Sequence, residues 1–233
     1  MDQITKGLSP DFSEKIKDKK TWIFDLDNTL YHSSVNLFSQ IEQKMGEYIA
    51  GLLDTSREEA RKVQKGYLVK YGTSLAGLMQ HHEVDPHHFL DFVHDIDFSP
   101  VTRDHRLDNA LSELDGRKII FTNADITYTN EVIKRLGVAH HFDDIFDILA
   151  ADLQPKPQPP TYEKFIREHD IDPHDAVYFE DMAVNLGPAH QMGMSCVWIN
   201  TGSEWGNPSD DADYVHHEID CLSTWLHHHV SSK

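Results

Sequence analysis

The sequence predicts an α/β protein, a doubly wound parallel sheet with one small helical cap inserted into it. Three observations carry this expectation. Five short apolar runs, at residues 21–26, 118–122, 145–150, 176–179 and 195–199, read as buried strands. Helical periodicity lies between them, the alternation that builds a parallel sheet covered on both faces. The interval 33–103 breaks the alternation, because it holds several helical stretches and no convincing strand.

The elements follow in order. After the first run come helical stretches at 37–53 and 57–71, with breaks at Gly72-Thr73-Ser74 and Asp85-Pro86. Residues 128–136 place Val132, Ile133 and Leu136 on one face, and 161–169 do the same with Tyr162, Phe165 and Ile166. The neighbourhoods of Gly137 and Asp170 supply helix stops. The run Pro155-Lys156-Pro157-Gln158-Pro159-Pro160 is a stiff loop between a strand and a helix. The expected division is a core of residues 1–33 and 104–233 with a cap at 34–103. Such a cap covers the sheet's carboxyl edge, where folds of this class bind ligands.

Composition narrows the function. With 233 residues, 39% hydrophobic and 26% charged, the chain suits a core domain and a small insertion. No apolar run is long enough to cross a bilayer, and Met1 to Gly7 lack a signal-peptide pattern. Cys196 and Cys221 sit in no metal-binding spacing, so a cytoplasmic protein is expected. A net charge of −18 argues against nucleic-acid polymers and anionic membranes as partners. A small anionic substrate is compatible if a bound cation reverses the field locally. Of the 17 histidines, eleven fall in four doublets and a triplet. They lie in polar segments and read as solvated surface rather than converging metal ligands.

The chemistry lies at four strand ends. The first reads Phe24-Asp25-Leu26-Asp27-Asn28-Thr29-Leu30-Tyr31, two carboxylates on one side of a strand terminus. Their repulsion calls for a cation, and oxygen ligands suit magnesium. At the second, Thr122 offers a hydroxyl and Asn123 a backbone N–H at a helix start. After the third, Lys156 is a cation on the stiff loop. The fourth ends in Glu180-Asp181, a further acid pair at the same edge. Each has an ordinary reading: an acidic turn, two N-caps and a solvated lysine. Four in succession, each at a carboxyl end, do not.

These segments resemble the four motifs of the haloacid dehalogenase-like hydrolase superfamily, with its Rossmann-like core, over essentially the whole chain. The stretch 24–31 resembles the pyrimidine 5′-nucleotidase branch. So does Tyr71-Gly72-Thr73-Ser74-Leu75-Ala76-Gly77-Leu78, followed by His82 and Asp85-Pro86. Lys156 precedes Pro157, as that family's third motif expects. The fourth motif reads Glu180-Asp181 where a paired Asp-Asp is usual.

The resemblance implies a magnesium-dependent phosphatase of small phosphate monoesters, pyrimidine nucleoside 5′-monophosphates first among them. Asp25 is then the nucleophile and Asp27 the general acid and base. Thr122, the Asn123 amide and Lys156 hold the phosphoryl group. Asp25, the main-chain carbonyl of Asp27, and Asp181 bind Mg2+, with Glu180 and Asn185 around that shell. In the cap, 71–78 shapes the substrate pocket. Tyr71 reads first as a packing residue, with stacking on a pyrimidine as the other option.

Rival readings are a phosphatase of a sugar phosphate or phosphoglycolate, and a phosphomutase with the same groups. A haloalkanoate dehalogenase needs neither Asp27 nor the metal. A phospho-accepting signalling module combines similar groups but carries its aspartate on the third strand. The expected partner is a small phosphate monoester, and the sequence assigns no oligomeric state.

Overall fold

The computed structural model describes residues 10–203, 205–209 and 212–231. The signal-peptide reading of residues 1–7 lies outside them. In chain order come α1 (Pro10–Ile16), β1 (Thr21–Phe24), α2 (Leu37–Leu53), α3 (Arg57–Tyr71), α4 (Ser74–His82), α5 (Pro86–Val93) and α6 (His105–Glu113). Then follow β2 (Arg117–Phe121), α7 (Ile126–Leu136), β3 (Asp144–Phe146), α8 (Pro159–Glu168) and β4 (Ala176–Glu180). The described chain ends with α9 (Leu186–Gln191), β5 (Ser195–Ile199), β6 (His217–Ile219) and α10 (Leu222–Ser231). No helix among the described residues is long and apolar enough to cross a membrane.

The six strands form one parallel sheet in the order β3-β2-β1-β4-β5-β6. Chain order runs outward on both sides of β1, so its carboxyl end lies at the topological switch point. Both sheet faces are buried. Trp22, Phe24, Ile120, Phe179 and Val197 pack with α6, α7 and α10. Their neighbours Ile23, Ile119, Phe121, Tyr178 and Cys196 pack against α8 and α9. This two-residue alternation explains why the strands read as continuous apolar runs.

Helix boundaries in the inserted segment follow local chemistry. The side chain of Ser56 accepts from the N–H of Glu59 and starts α3. Gly72 ends it at φ 85°, a left-handed conformation that suits glycine. Thr73 then caps α4, and Asp85 caps α5 with Pro86 in its first turn. Buried Ile41, Leu78, Phe89 and Val93 join these helices to the α6–α7–α10 side of the core.

Three expectations need correction. The run 145–150 is a strand only as far as Phe146. Asp147 accepts from the N–H of Ile126 and of Ala150, both at 2.8 Å, and turns the chain out of the ladder. The strand β6 is absent from the sequence reading, which treats His216-His217 as surface. His217 is instead buried and stacks on Phe12 at 4.7 Å, while His216 Nδ1 accepts from the N–H of Cys196. His229 is also buried, stacked on Trp225 at 5.1 Å. Each aromatic neighbour converts a polar ring into a core packing surface. The remaining doublets are mixed, with His81, His87, His88 and His140 exposed.

Candidate active site

The carboxyl ends of β1, β2 and β4 and the loop after β3 converge on a cavity of about 480 Å³. The core supplies Asp25, Asp27, Thr122, Asn123, Lys156, Glu180, Asp181 and Asn185 to its wall, so every residue singled out for the chemistry lies there. The insert supplies further lining residues, including Phe38, Gln64, Ser74 and Leu75.

Lys156 organises the floor. Its ammonium, 1% exposed, donates to Asp25 Oδ1 at 2.7 Å, Glu180 Oε2 at 2.7 Å, the Phe121 carbonyl at 2.8 Å and Tyr178 Oη at 2.9 Å. The rings of Phe121 and Tyr178 flank it at 5.0 and 5.6 Å. Burial alone lowers the pKa of an ammonium, but the charges of Asp25 and Glu180 outweigh it and raise that of Lys156. Its main chain is fixed by Asn123, whose side chain bonds both the N–H and the carbonyl.

The acids around it are under strain of a different kind. Burial, then the charge of Glu180, push the Asp25 carboxyl up to about 7 against the pull of Lys156. Burial and the charges of Glu180 and Asp25 hold Asp181 well above the ordinary carboxylate range. Asp181 Oδ2 accepts from Asn28 at 3.3 Å, and its carbonyl accepts from Trp198 Nε1 at 2.9 Å. Burial also raises Asp27, opposed by hydrogen bonds from Tyr128 and Tyr31.

Oxygens of Asp25, Glu180 and Asp181 lie within 4.8 Å of one another. With all three ionised, these buried carboxylates face one ammonium and leave an excess of two negative charges, which is why burial and mutual repulsion raise Asp25 and Asp181. A divalent cation with oxygen preference balances that excess, so the donor set fits magnesium. Glu180 is already engaged on both oxygens, by Lys156 and Tyr178 on Oε2 and by the N–H of Met182 on Oε1. Asn185 is the last residue of a short 3-10 turn after Asp181, and its carbonyl accepts from Tyr162 at 2.6 Å.

A second cluster, Asp108, His140 and His141, has ligand atoms equally close. Its carboxylate already pairs with Arg103 at 2.9 Å, and none of the three residues lines the cavity.

Several contributors escaped the sequence reading. Tyr31 and Tyr128 bond Asp27, and Tyr178 bonds Glu180. His94 lines the cavity, as does Trp205, whose ring lies 5.0 Å from the Lys65 ammonium of α3. Tyr31 stands inside the first motif and offered a signal there. Tyr178 falls at a buried strand position and looks like core. Tyr71 does not line the cavity, although Gly72 to Leu75 do. Its hydroxyl pairs with His81 at 2.5 Å and its ring packs against Tyr67, so it is a packing residue.

The family profile described as haloacid dehalogenase-like hydrolase matches residues 22–199, spanning the acid pair, the lysine loop and the second acid pair. The chain belongs to this family of hydrolases. The haloacid dehalogenase-like assignment agrees with the solved structures that share the fold. CbbY from Rhodobacter sphaeroides, in complex with xylulose 1,5-bisphosphate, aligns with TM-score 0.62 at 19% identity, over 88% of this chain and 95% of that one. The magnesium-bound hydrolase YfnB from Bacillus subtilis aligns with TM-score 0.60 at 14% identity, over 91% and 98%. An L-2-haloacid dehalogenase from Xanthobacter autotrophicus aligns with TM-score 0.54 at 14% identity, over 89% and 97%. Phosphate metabolism protein 8 of Saccharomyces cerevisiae is 26% identical over an alignment of 197 residues that covers 77% of this chain. The match spans 61% of that relative's length.

Proposed function

We propose that this chain is a cytosolic, magnesium-dependent phosphatase that hydrolyses small phosphate monoesters through an aspartyl-phosphate on Asp25. Pyrimidine nucleoside 5′-monophosphates are its preferred substrates. The observation that carries the reading is the Asp25–Lys156–Glu180 arrangement at the floor of a cavity that Asp27 and Asp181 also line.

In the first step an Asp25 oxygen attacks phosphorus and the bond to the leaving oxygen breaks. Asp27 gives that oxygen its proton. In the second step Asp27 takes a proton from water, the water oxygen bonds phosphorus, and the acyl phosphate opens to release inorganic phosphate. Thr122 Oγ1 accepts from the N–H of Ala124 at 3.0 Å and donates to no described residue, so its proton suits a phosphoryl oxygen. The Asn123 amide and the Lys156 ammonium serve the same group. Asp25, Asp181 and the main-chain carbonyl of Asp27 are the magnesium ligands, with Glu180 and Asn185 orienting them. Magnesium, when bound, supplies neutralisation of phosphoryl charge and alignment.

Residues 34–103 act as the cap over a core of 1–33 and 104–233, of which 1–9, 204, 210–211 and 232–233 lie outside the described residues. The shared cavity wall supports that division, and a volume of about 480 Å³ is ordinary for a small-molecule site. The nucleotidase preference is supported by Gly72, Thr73, Ser74 and Leu75, which line the cavity within the segment that resembles that branch. A dehalogenase has no use for a placed acid such as Asp27 or for a cation site.

The test is phosphate release from UMP, CMP, dTMP, AMP, GMP, a hexose phosphate and phosphoglycolate, with magnesium or chelator. Asp25→Asn and Asp27→Asn run beside wild type. The expected result is magnesium-dependent turnover, lost in both variants, with UMP or CMP preferred. Preference for a sugar phosphate retires the nucleotidase reading and keeps the mechanism. No turnover by folded protein with magnesium overturns the phosphatase reading.

A further inference from the structure

The two side-chain oxygens of Asp27 are not equivalent. Oδ1 accepts from Tyr31 Oη at 2.5 Å and from Tyr128 Oη at 2.6 Å. Oδ2 has no hydrogen-bond partner among the described residues, and Asp27 lines the cavity. A carboxyl oxygen has two lone pairs, so two donors saturate it. Burial and the charge of Asp27 hold both phenols well above the ordinary tyrosine value, so both remain donors.

Tyr128 is itself held. His94, the residue after α5, stacks on its ring at 4.4 Å with 16° between the planes. His94 Nδ1 pairs with Asp125 Oδ2. Asp125 Oδ1 in turn accepts from the N–H of Tyr128 at 2.9 Å and caps α7. A residue of the insert thus helps fix the ring whose hydroxyl fixes Asp27.

We infer that Tyr31 and Tyr128 are positioning residues that saturate Asp27 Oδ1, leaving Oδ2 as the oxygen that exchanges protons, with His94 keeping Tyr128 in place. The inference rests on the reading of Asp27 as general acid and base. As the phosphorus–oxygen bond breaks, the proton on Oδ2 passes to the leaving oxygen. When the phenols are lost the carboxyl rotates, and either oxygen carries the proton in a less productive direction.

The leaving group makes this testable. An alkoxide departs only with a proton, whereas a nitrophenolate leaves without one. The measurement is kcat/KM, which reports the chemistry up to leaving-group departure, for the best alkyl monoester of the substrate panel and for 4-nitrophenyl phosphate. Tyr31→Phe and Tyr128→Phe, which remove only hydroxyls, are compared with wild type, Asp27→Asn and His94→Ala. The phenol variants are expected to lose about 10- to 100-fold on the alkyl ester. On the aryl ester the expected loss is less than about threefold. His94→Ala is expected to show the same selectivity as Tyr128→Phe. Equal losses on both esters, or no loss on either, overturn the positioning role. If Asp27→Asn is selective and the phenol variants are not, that role alone fails. If wild type hydrolyses neither ester, the phosphatase reading fails first and the inference with it.

Discussion

Asn123 holds the main chain of Lys156 at two points, accepting from its N–H at 2.9 Å and donating to its carbonyl at 3.3 Å. A residue expected to serve substrate through its backbone therefore also spends its side chain on the lysine loop. Asn123→Ala keeps the backbone amide and removes the clamp. The expected cost is about 1–3 kcal/mol of stability, from backbone groups left without partners. A loss of kcat of about tenfold should accompany it as Lys156 shifts. Thermal unfolding and steady-state kinetics check both.

Asp25 sets a pH dependence whose sign follows from its raised value. Its carboxyl titrates at about 7 in the fold, against 3.8 ordinarily. Between those values the folded state holds a proton that the unfolded chain has released. This contribution to stability is complete at low pH and is lost as pH rises through about 7, with a slope of at most about 1.4 kcal/mol per pH unit. The metal-free protein is expected to lose Tm from about pH 5 to pH 8, while the Tm gain from magnesium widens. Melting curves in chelator and in excess magnesium measure this, and a magnesium gain independent of pH speaks against it.

Asp181 is held protonation-prone by burial and its neighbours. Asp181→Asn puts a neutral group of the same shape where the metal-free fold already disfavours the charged carboxylate. Its Tm in chelator should be equal to or above that of wild type. Magnesium affinity and turnover should fall by about 10²-fold or more. Calorimetric magnesium titration separates the two effects.

Gly72 joins the insert to the catalytic loop. It has φ 85°, and a Cβ there would lie 2.7 Å from the Lys156 carbonyl oxygen and 3.2 Å from Pro157 Cδ. Gly72→Ala combines a disfavoured conformation with a backbone clash, at a cost of about 1–3 kcal/mol. Because relief requires the insert to lift from the loop, kcat/KM should fall along with Tm. A variant with wild-type kinetics shows that this contact is not needed for turnover.

Five of the six strands, the helical insert and the placement of Asp25, Thr122, Asn123, Lys156, Glu180 and Asp181 at one sheet edge were legible in the sequence. The reason is physical. A strand buried on both faces must be apolar, so a charged residue at its carboxyl end stands out, and parallel topology brings such ends together. Turn chemistry was legible where it is local, as at Gly72, Asp85 and Gly137.

What depends on partners distant in sequence was not legible. The strand β6 is three residues long and rests on pairing with β5. His217 and His229 became core because Phe12 and Trp225 stack on them. Asp147 ended β3 because the start of α7 gave it a donor, the N–H of Ile126. Sequence alone determined which residue types stand at the strand ends, because burial restricts composition residue by residue. Only the tertiary structure decided that Lys156 bridges Asp25 and Glu180, that two phenols 97 positions apart meet on one oxygen of Asp27, and that His94 touches one of them. Those are contacts between separate elements, and hydrogen-bond and packing geometry is fixed when the elements assemble.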